Sequence, residues 1–66
     1  MFLVIYYECY VGYFFTGEEK IFFDEDNAKA YAEKLNKKIL AAYSDPSLKI
    51  EDLGDKYEVV EIEKGD

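Results

Sequence analysis

Residues 6–15, YYECYVGYFF, place six aromatic rings in ten positions. With the preceding MFLVI they form an apolar segment that only Glu8 and Gly12 interrupt. Aromatic and β-branched residues favour strands, so this segment predicts one long strand over residues 1–15. Gly12 is the position at which a bulge or a bend is expected.

Side chains alternate between the two sides of a strand, so the predicted strand has two apolar faces. One face carries the odd positions Leu3, Ile5, Tyr7, Cys9, Val11 and Tyr13. The other carries the even positions Phe2, Val4, Tyr6, Glu8, Tyr10 and Phe14. Both faces are apolar enough to pack against another layer, so the pattern alone leaves their assignment reversible.

The remaining elements follow from turn, cap and periodicity signals. The polar segment Thr16–Lys20 predicts a hairpin loop, and residues 21–23 predict a short returning strand. Asp24 predicts a helix N-cap, and apolar residues at helical spacing extend the helix to about Tyr43, before Pro46. Residues 56–64, KYEVVEIEK, predict the last strand.

This order of elements, ββαβ, predicts a single α+β domain over residues 1–66. The crossover from the second strand to the third makes those two strands parallel, which places the long first strand between them. We therefore expect a three-stranded antiparallel sheet, in the order 2-1-3, with the helix packed on one face. A domain of 66 residues buries only about 60% of the surface that its unfolded chain exposes.

One face of this sheet lacks cover in a monomer. If the helix covers the odd positions, the exposed set is the even one, and we predict it as a dimer or ligand face. Its residues are Phe2, Tyr6, Glu8, Tyr10 and Phe14. Three explanations are open: rings whose hydroxyls reach water, a homodimer that buries the face, or a ligand site in which Tyr6, Tyr10 and Phe14 stack on a base.

Acidic residues concentrate in the last third of the chain. Residues 1–23 carry −2 (three acids, one lysine), residues 24–43 carry zero (four of each) and residues 44–66 carry −5 (eight acids, three lysines), giving −7 in total. This distribution predicts an acidic pole that binds a partner through Asp52, Asp55, Glu58, Glu61 and Glu63. Its complement is a basic protein surface, whereas nucleic acid and anionic membranes are disfavoured. A solvated face that keeps the protein soluble is the alternative.

The composition offers no enzymatic signature. Histidine is absent, which excludes histidine-assisted nucleophiles and the usual zinc sites, and no phosphate-binding glycine motif occurs. We therefore predict no catalytic residues, no cofactor and no metal. Cys9 is the only cysteine, so no internal disulfide can form, and a cytoplasmic location is expected in the absence of a signal-like or membrane-spanning segment.

The tyrosine-rich first strand, FFDEDNAKAYAEKLN at residues 22–36 and YEVVEIE at residues 57–63 together resemble the small ββαβ proteins of phages and prophages. At the level of class, the chain is also similar to small acidic phage proteins such as anti-CRISPR proteins. That resemblance implies a non-enzymatic inhibitor of a host defence or nucleic-acid-processing protein, acting in the host cytoplasm. A nucleotide-binding sponge and a structural homodimer module are the alternatives.

Overall fold

A computed structural model describes residues 1–62 of the chain. The elements are β1 (Phe2–Glu8), β2 (Gly12–Phe14), β3 (Lys20–Phe22), α1 (Glu25–Ala41), a short 3-10 helix (Ile50–Asp52) and β4 (Lys56–Glu61). Within these residues all strand pairs are antiparallel, and the single α-helix packs on the sheet. The predicted α+β class is confirmed.

β1 is the central strand of the sheet. β4 pairs with it on one side, from Phe2 opposite Glu61 to Tyr7 opposite Lys56. On the other side β3 lies opposite residues 2–4 and β2 lies opposite residues 6–8. The predicted order, with the first strand between the returning strand and the last one, is therefore confirmed, but one edge consists of two short strands placed end to end.

The prediction of one unbroken strand over residues 1–15 is wrong. The chain reverses between Glu8 and Gly12, where the Val11 N–H donates to the Glu8 carbonyl at 3.1 Å. Tyr10 and Gly12 have positive φ angles of 76° and 98°, which turn the chain tightly without any proline or asparagine. The predicted hairpin loop at residues 16–20 instead overlaps the connection between β2 and β3, which is formed by residues 15–19.

α1 begins as predicted. The Asp24 side chain accepts a hydrogen bond from the Asp26 N–H at 2.8 Å, and Glu25 and Asp26 occupy the first turn, where the helix dipole favours negative charge. The helix ends at Ala41, two residues before the predicted end at Tyr43. Its N-terminus lies at the end of the sheet where Phe22 pairs with Phe2.

The core lies between α1 and the even-numbered side of β1. Its buried residues are Val4, Ala28, Ala32 and Leu35, with Phe2, Phe22, Tyr31, Tyr57 and Val59 packed against them. The expectation that α1 covers the odd positions is therefore wrong. The small side chains of Ala28 and Ala32 leave room between α1 and the sheet, and aromatic rings such as that of Phe2 occupy it.

Asn36 anchors α1 to β4. Its side-chain carbonyl accepts from the Tyr57 N–H at 2.8 Å, and its amide donates to the Tyr57 carbonyl at 3.0 Å. Within residues 1–62 β4 pairs with β1 alone, so alternate residues of β4 direct their backbone groups outward. Asn36 satisfies both outward groups of Tyr57, as a neighbouring strand would.

None of the helices found in residues 1–62 has the length and apolar character needed to cross a membrane.

Candidate binding surfaces

The five residues predicted as a dimer or ligand face do not form an uncovered surface. Phe2 packs against the core beneath α1. Tyr6 and Phe14 face each other on the same side of the sheet, and the parity of β1 places Glu8 there too. Tyr10 is not in a strand, and it projects fully exposed from the turn. The expected surface does not form because β1 ends before Tyr10 and because α1 covers the even-numbered side, on which the other four residues lie.

Tyr6 is the centre of an aromatic cluster on the helix side. Its ring meets those of Phe14 and Tyr57 edge to face, with centroids 5.1 Å away in each case. Burial raises the pKa of Tyr6 above its ordinary value, and the negative charges of Asp55 and Glu8 raise it further. The phenol therefore stays neutral, and the cluster joins β1, β2 and β4 by packing.

The uncovered surface is the odd-numbered side of the sheet, which we call the open face. Register places on it Leu3, Ile5 and Tyr7 of β1, Tyr13 of β2, Ile21 of β3, and Lys56, Glu58 and Val60 of β4. Of these, Ile5 is itself buried by its neighbours on this face. Tyr7 and Tyr13 pack edge to face with ring centroids 5.1 Å apart. The signal for this surface was present in the sequence, since the odd positions already formed one apolar set.

Two exposed phenylalanines extend the open face beyond the strands. Phe14 contacts Tyr6, and the Thr16 hydroxyl lies 3.0 Å from that of Tyr57, both on the helix side. Phe15 directly follows β2, and continuing the alternation of that strand by one residue places its side chain on the open-face side. Phe23 is placed in the same way, between Phe22, which contacts the helix, and the N-cap Asp24.

Within residues 1–62, one side-chain hydrogen bond crosses the open face from edge to edge. The Tyr13 hydroxyl of β2 donates to Glu58 Oε2 of β4 at 2.8 Å, passing over β1. This bond to a carboxylate is the main cause of the raised pKa of Tyr13. Glu58 therefore belongs to the open face.

The remaining predicted acidic residues do not meet at one pole. Asp55 follows Gly54, whose carbonyl accepts from the Cys9 N–H at 3.1 Å, so Asp55 and Asp52 lie near the Cys9 end of the sheet. Glu61 lies at the other end, opposite Phe2. Glu63 lies outside the described residues. The structure spreads these carboxylates along one side of the sheet.

We call Asp52, Asp55 and Glu61 the acidic edge. None of the three forms an ion pair with a lysine of residues 1–62. Within residues 1–62 the two ion pairs lie on α1, Lys29 with Glu25 and Lys37 with Glu33, each at 3.4 Å. The span from Asp55 to Glu61 is about 20 Å, at about 3.3 Å per strand residue. Within the described residues these carboxylates are therefore not neutralised by ion pairs, although Lys56 lies beside Asp55 at the start of β4.

A groove of about 360 Å³ separates α1 from β4. Ala32, Leu40, Ile50 and Val59 contribute apolar lining, while Lys29, Glu33 and Lys37 also border the groove. Among residues 1–62 no three acidic or cysteine side chains lie close enough together to hold a metal ion.

Comparisons of the chain with protein-family models, with curated proteins and with solved structures gave no match. The similarity to phage ββαβ proteins and to acidic anti-defence proteins therefore stays a prediction.

Proposed function

We propose that the protein acts by binding, as a phage-type accessory protein that occupies a basic surface of a host defence or nucleic-acid-processing protein. The observation that carries the proposal is the acidic edge. Its three carboxylates have no lysine partner within the described residues, whereas two acids of α1 do. Opposite charges across an interface accelerate encounter and disfavour wrong partners.

The charge density limits what the acidic edge can imitate. Three carboxylates, two of them about 20 Å apart, are far sparser than the phosphates of duplex DNA, which supplies one charge per ~1.7 Å of axis. The edge therefore competes for a few phosphate positions in a basic groove. Shape complementarity between the two surfaces must supply the rest of the affinity.

Two matched triple variants test the proposal. The first neutralises the acidic edge with Asp52→Asn, Asp55→Asn and Glu61→Gln. The second neutralises acids outside it with Glu18→Gln, Glu25→Gln and Glu33→Gln, which changes the net charge equally. Each protein is immobilised and exposed to bacterial lysate, and bound proteins are then released with a double-stranded DNA oligonucleotide.

We expect the wild type and the second variant to retain a protein from the lysate. DNA should release this protein, and its binding should weaken as the salt concentration rises. The first variant loses it, because neutral side chains no longer attract the basic groove. Equal retention by both variants, or retention that neither DNA nor salt affects, would contradict the proposal.

A further inference from the structure

The open face exposes more apolar surface than a small monomer usually leaves in water. Aromatic side chains present about 150 to 250 Å² each, so Tyr13, Phe15 and Phe23, at 52%, 76% and 88% exposure, together leave about 320 to 540 Å² uncovered. Contiguous apolar patches beyond a few hundred Å² mark interaction sites on most soluble monomers. The open face has that size before its aliphatic residues are counted.

From this surface we infer that the protein forms a homodimer in which the open faces of two copies pack together. A standard interface buries about 800 Å² on each partner. The three rings supply about half of that area. Ile21, which is 54% exposed, and the half-buried Leu3, Tyr7 and Val60 provide further apolar surface on the same side.

Charge favours a second copy as the occupant. The open face carries one lysine, Lys56, and one acid, Glu58, so it is neutral on a chain whose net charge is −7. Two copies of any acidic surface would repel one another, but two open faces bring no net charge together. In a two-fold interface each copy also offers Lys56 as a cation for Glu58 of the other.

The monomer core supplies a second reason. Within residues 1–62 the buried apolar residues are Val4, Ile5, Ala28, Ala32 and Leu35, and two of the five are alanines. A core of this size contributes few kilocalories beyond the conformational entropy lost on folding. Burial of the open face adds a second apolar layer, with the two sheets about 10 Å apart as in a β-sandwich.

The arrangement leaves the acidic edge available. The most exposed open-face residues, Phe15, Ile21 and Phe23, lie at the edge of the sheet formed by β2 and β3. Asp55 and Glu61 lie along the opposite edge. Dimerisation through the open face is therefore separable from the proposed binding to a basic partner.

Sedimentation equilibrium of matched lysine variants tests the dimer. Phe15→Lys with Ile21→Lys places two charges on the open face, whereas Tyr10→Lys with Tyr43→Lys places them at exposed aromatic positions elsewhere. We expect the wild type and the Tyr10/Tyr43 variant to have twice the 7.7 kDa mass of the chain. The Phe15/Ile21 variant should dissociate on the order of 100-fold more readily, because unpaired charges would be buried.

A wild type that stays at 7.7 kDa up to its solubility limit would overturn the inference, and so would a Phe15/Ile21 variant that dimerises as tightly as the wild type. A second measurement uses no variant. Because a dimer stabilises the folded state by mass action, the melting temperature of the wild type should rise with protein concentration. A melting temperature independent of concentration would also overturn the inference.

Discussion

The two edges of the sheet differ in continuity and in chemistry. β4 is one strand of six residues that pairs with β1 along most of its length. The opposite edge consists of two strands of three residues, β2 and β3, separated by residues 15–19. Acidic side chains lie along β4, whereas the β2–β3 edge carries the exposed aromatic residues Tyr13, Phe15 and Phe23.

The difference shows two ways of preventing a sheet edge from pairing with other chains. Unpaired backbone groups on an edge are a template for aggregation, and natural proteins block them with charges, caps or interruptions. β4 is protected by Asn36 and by carboxylates. The β2–β3 edge is protected by its interruption, because neither three-residue strand offers a long template for pairing.

Removing the Asn36 side chain that caps the β4 edge should have the largest effect on stability. Asn36→Ala leaves the N–H and the carbonyl of Tyr57 without their partners, at a cost of about 1–3 kcal/mol for each buried group. We expect the free energy of unfolding to fall by about 2–4 kcal/mol, measured by urea denaturation. Asn27→Ala, on the exposed side of α1, is the matched control. Equal losses in the two variants would show that the cap does not matter.

Substitutions in the hairpin turn between β1 and β2 should have the next largest effect on stability, and one of them should increase it. Tyr10 has a positive φ and makes no burial contribution, so Tyr10→Gly relieves backbone strain and should stabilise the fold by about 1 kcal/mol. Gly12→Ala should have the opposite sign and a similar size, since a Cβ there meets no atom within 4 Å and only φ matters. Thermal denaturation compares the two. A destabilised Tyr10→Gly variant would argue against strain in the turn.

The hydrogen bond from Tyr13 to Glu58, which joins the two edges of the sheet, should contribute less to stability. Tyr13→Phe removes the hydroxyl that donates to Glu58, and because this site is exposed we expect a loss of about 0.5 kcal/mol. The folded-state pKa of Tyr13 lies above its ordinary value of 10.0, so the stabilisation is complete below pH 10 and is lost as pH rises through the folded-state pKa. Urea midpoints of wild type and variant should converge in alkali. A constant difference would contradict this assignment.

The loop that separates β2 from β3 should give the smallest effect. The Glu19 carboxylate accepts from the Thr16 and Gly17 N–H groups, and the bond from Thr16 is the first cause of its lowered pKa. Its contribution is present above pH 4.5 and disappears as pH falls through the folded-state pKa. Glu19→Gln should therefore differ from wild type at neutral pH and match it in acid. Glu18→Gln, which leaves these bonds intact, should show no such pH dependence.

The helix and the strand order could be predicted because their signals are local or few in number. Asp24 supplied an N-cap, apolar spacing supplied the stripe of α1, and a right-handed crossover left one position for the first strand. The break in that strand gave no such signal. Tyr10 adopts a conformation that non-glycine residues rarely occupy. The aromatic and β-branched residues on both sides of it favour strands, so they did not indicate a turn there.

Which face of β1 packs against α1 depends on how the side chains fit together, and the alternation of residues along the strand does not reveal this. Both sides of β1 are apolar, so alternation identified two sets of residues without ranking them. The even set packs under α1 because Ala28 and Ala32 leave space for Phe2, Phe22 and Tyr57. The predicted binding face inherited this ambiguity, since four of its five residues lie on the helix side of the sheet.

The pairing of β1 with β4 also determines when the fold can close. Ile5 and Glu58 face each other although more than fifty residues separate them along the chain. A ribosome delivers β1 long before β4, so the nascent protein carries a central strand with one bare side while the hairpin and α1 are already able to form. Closure of so long a loop is slow and leaves apolar surface accessible meanwhile.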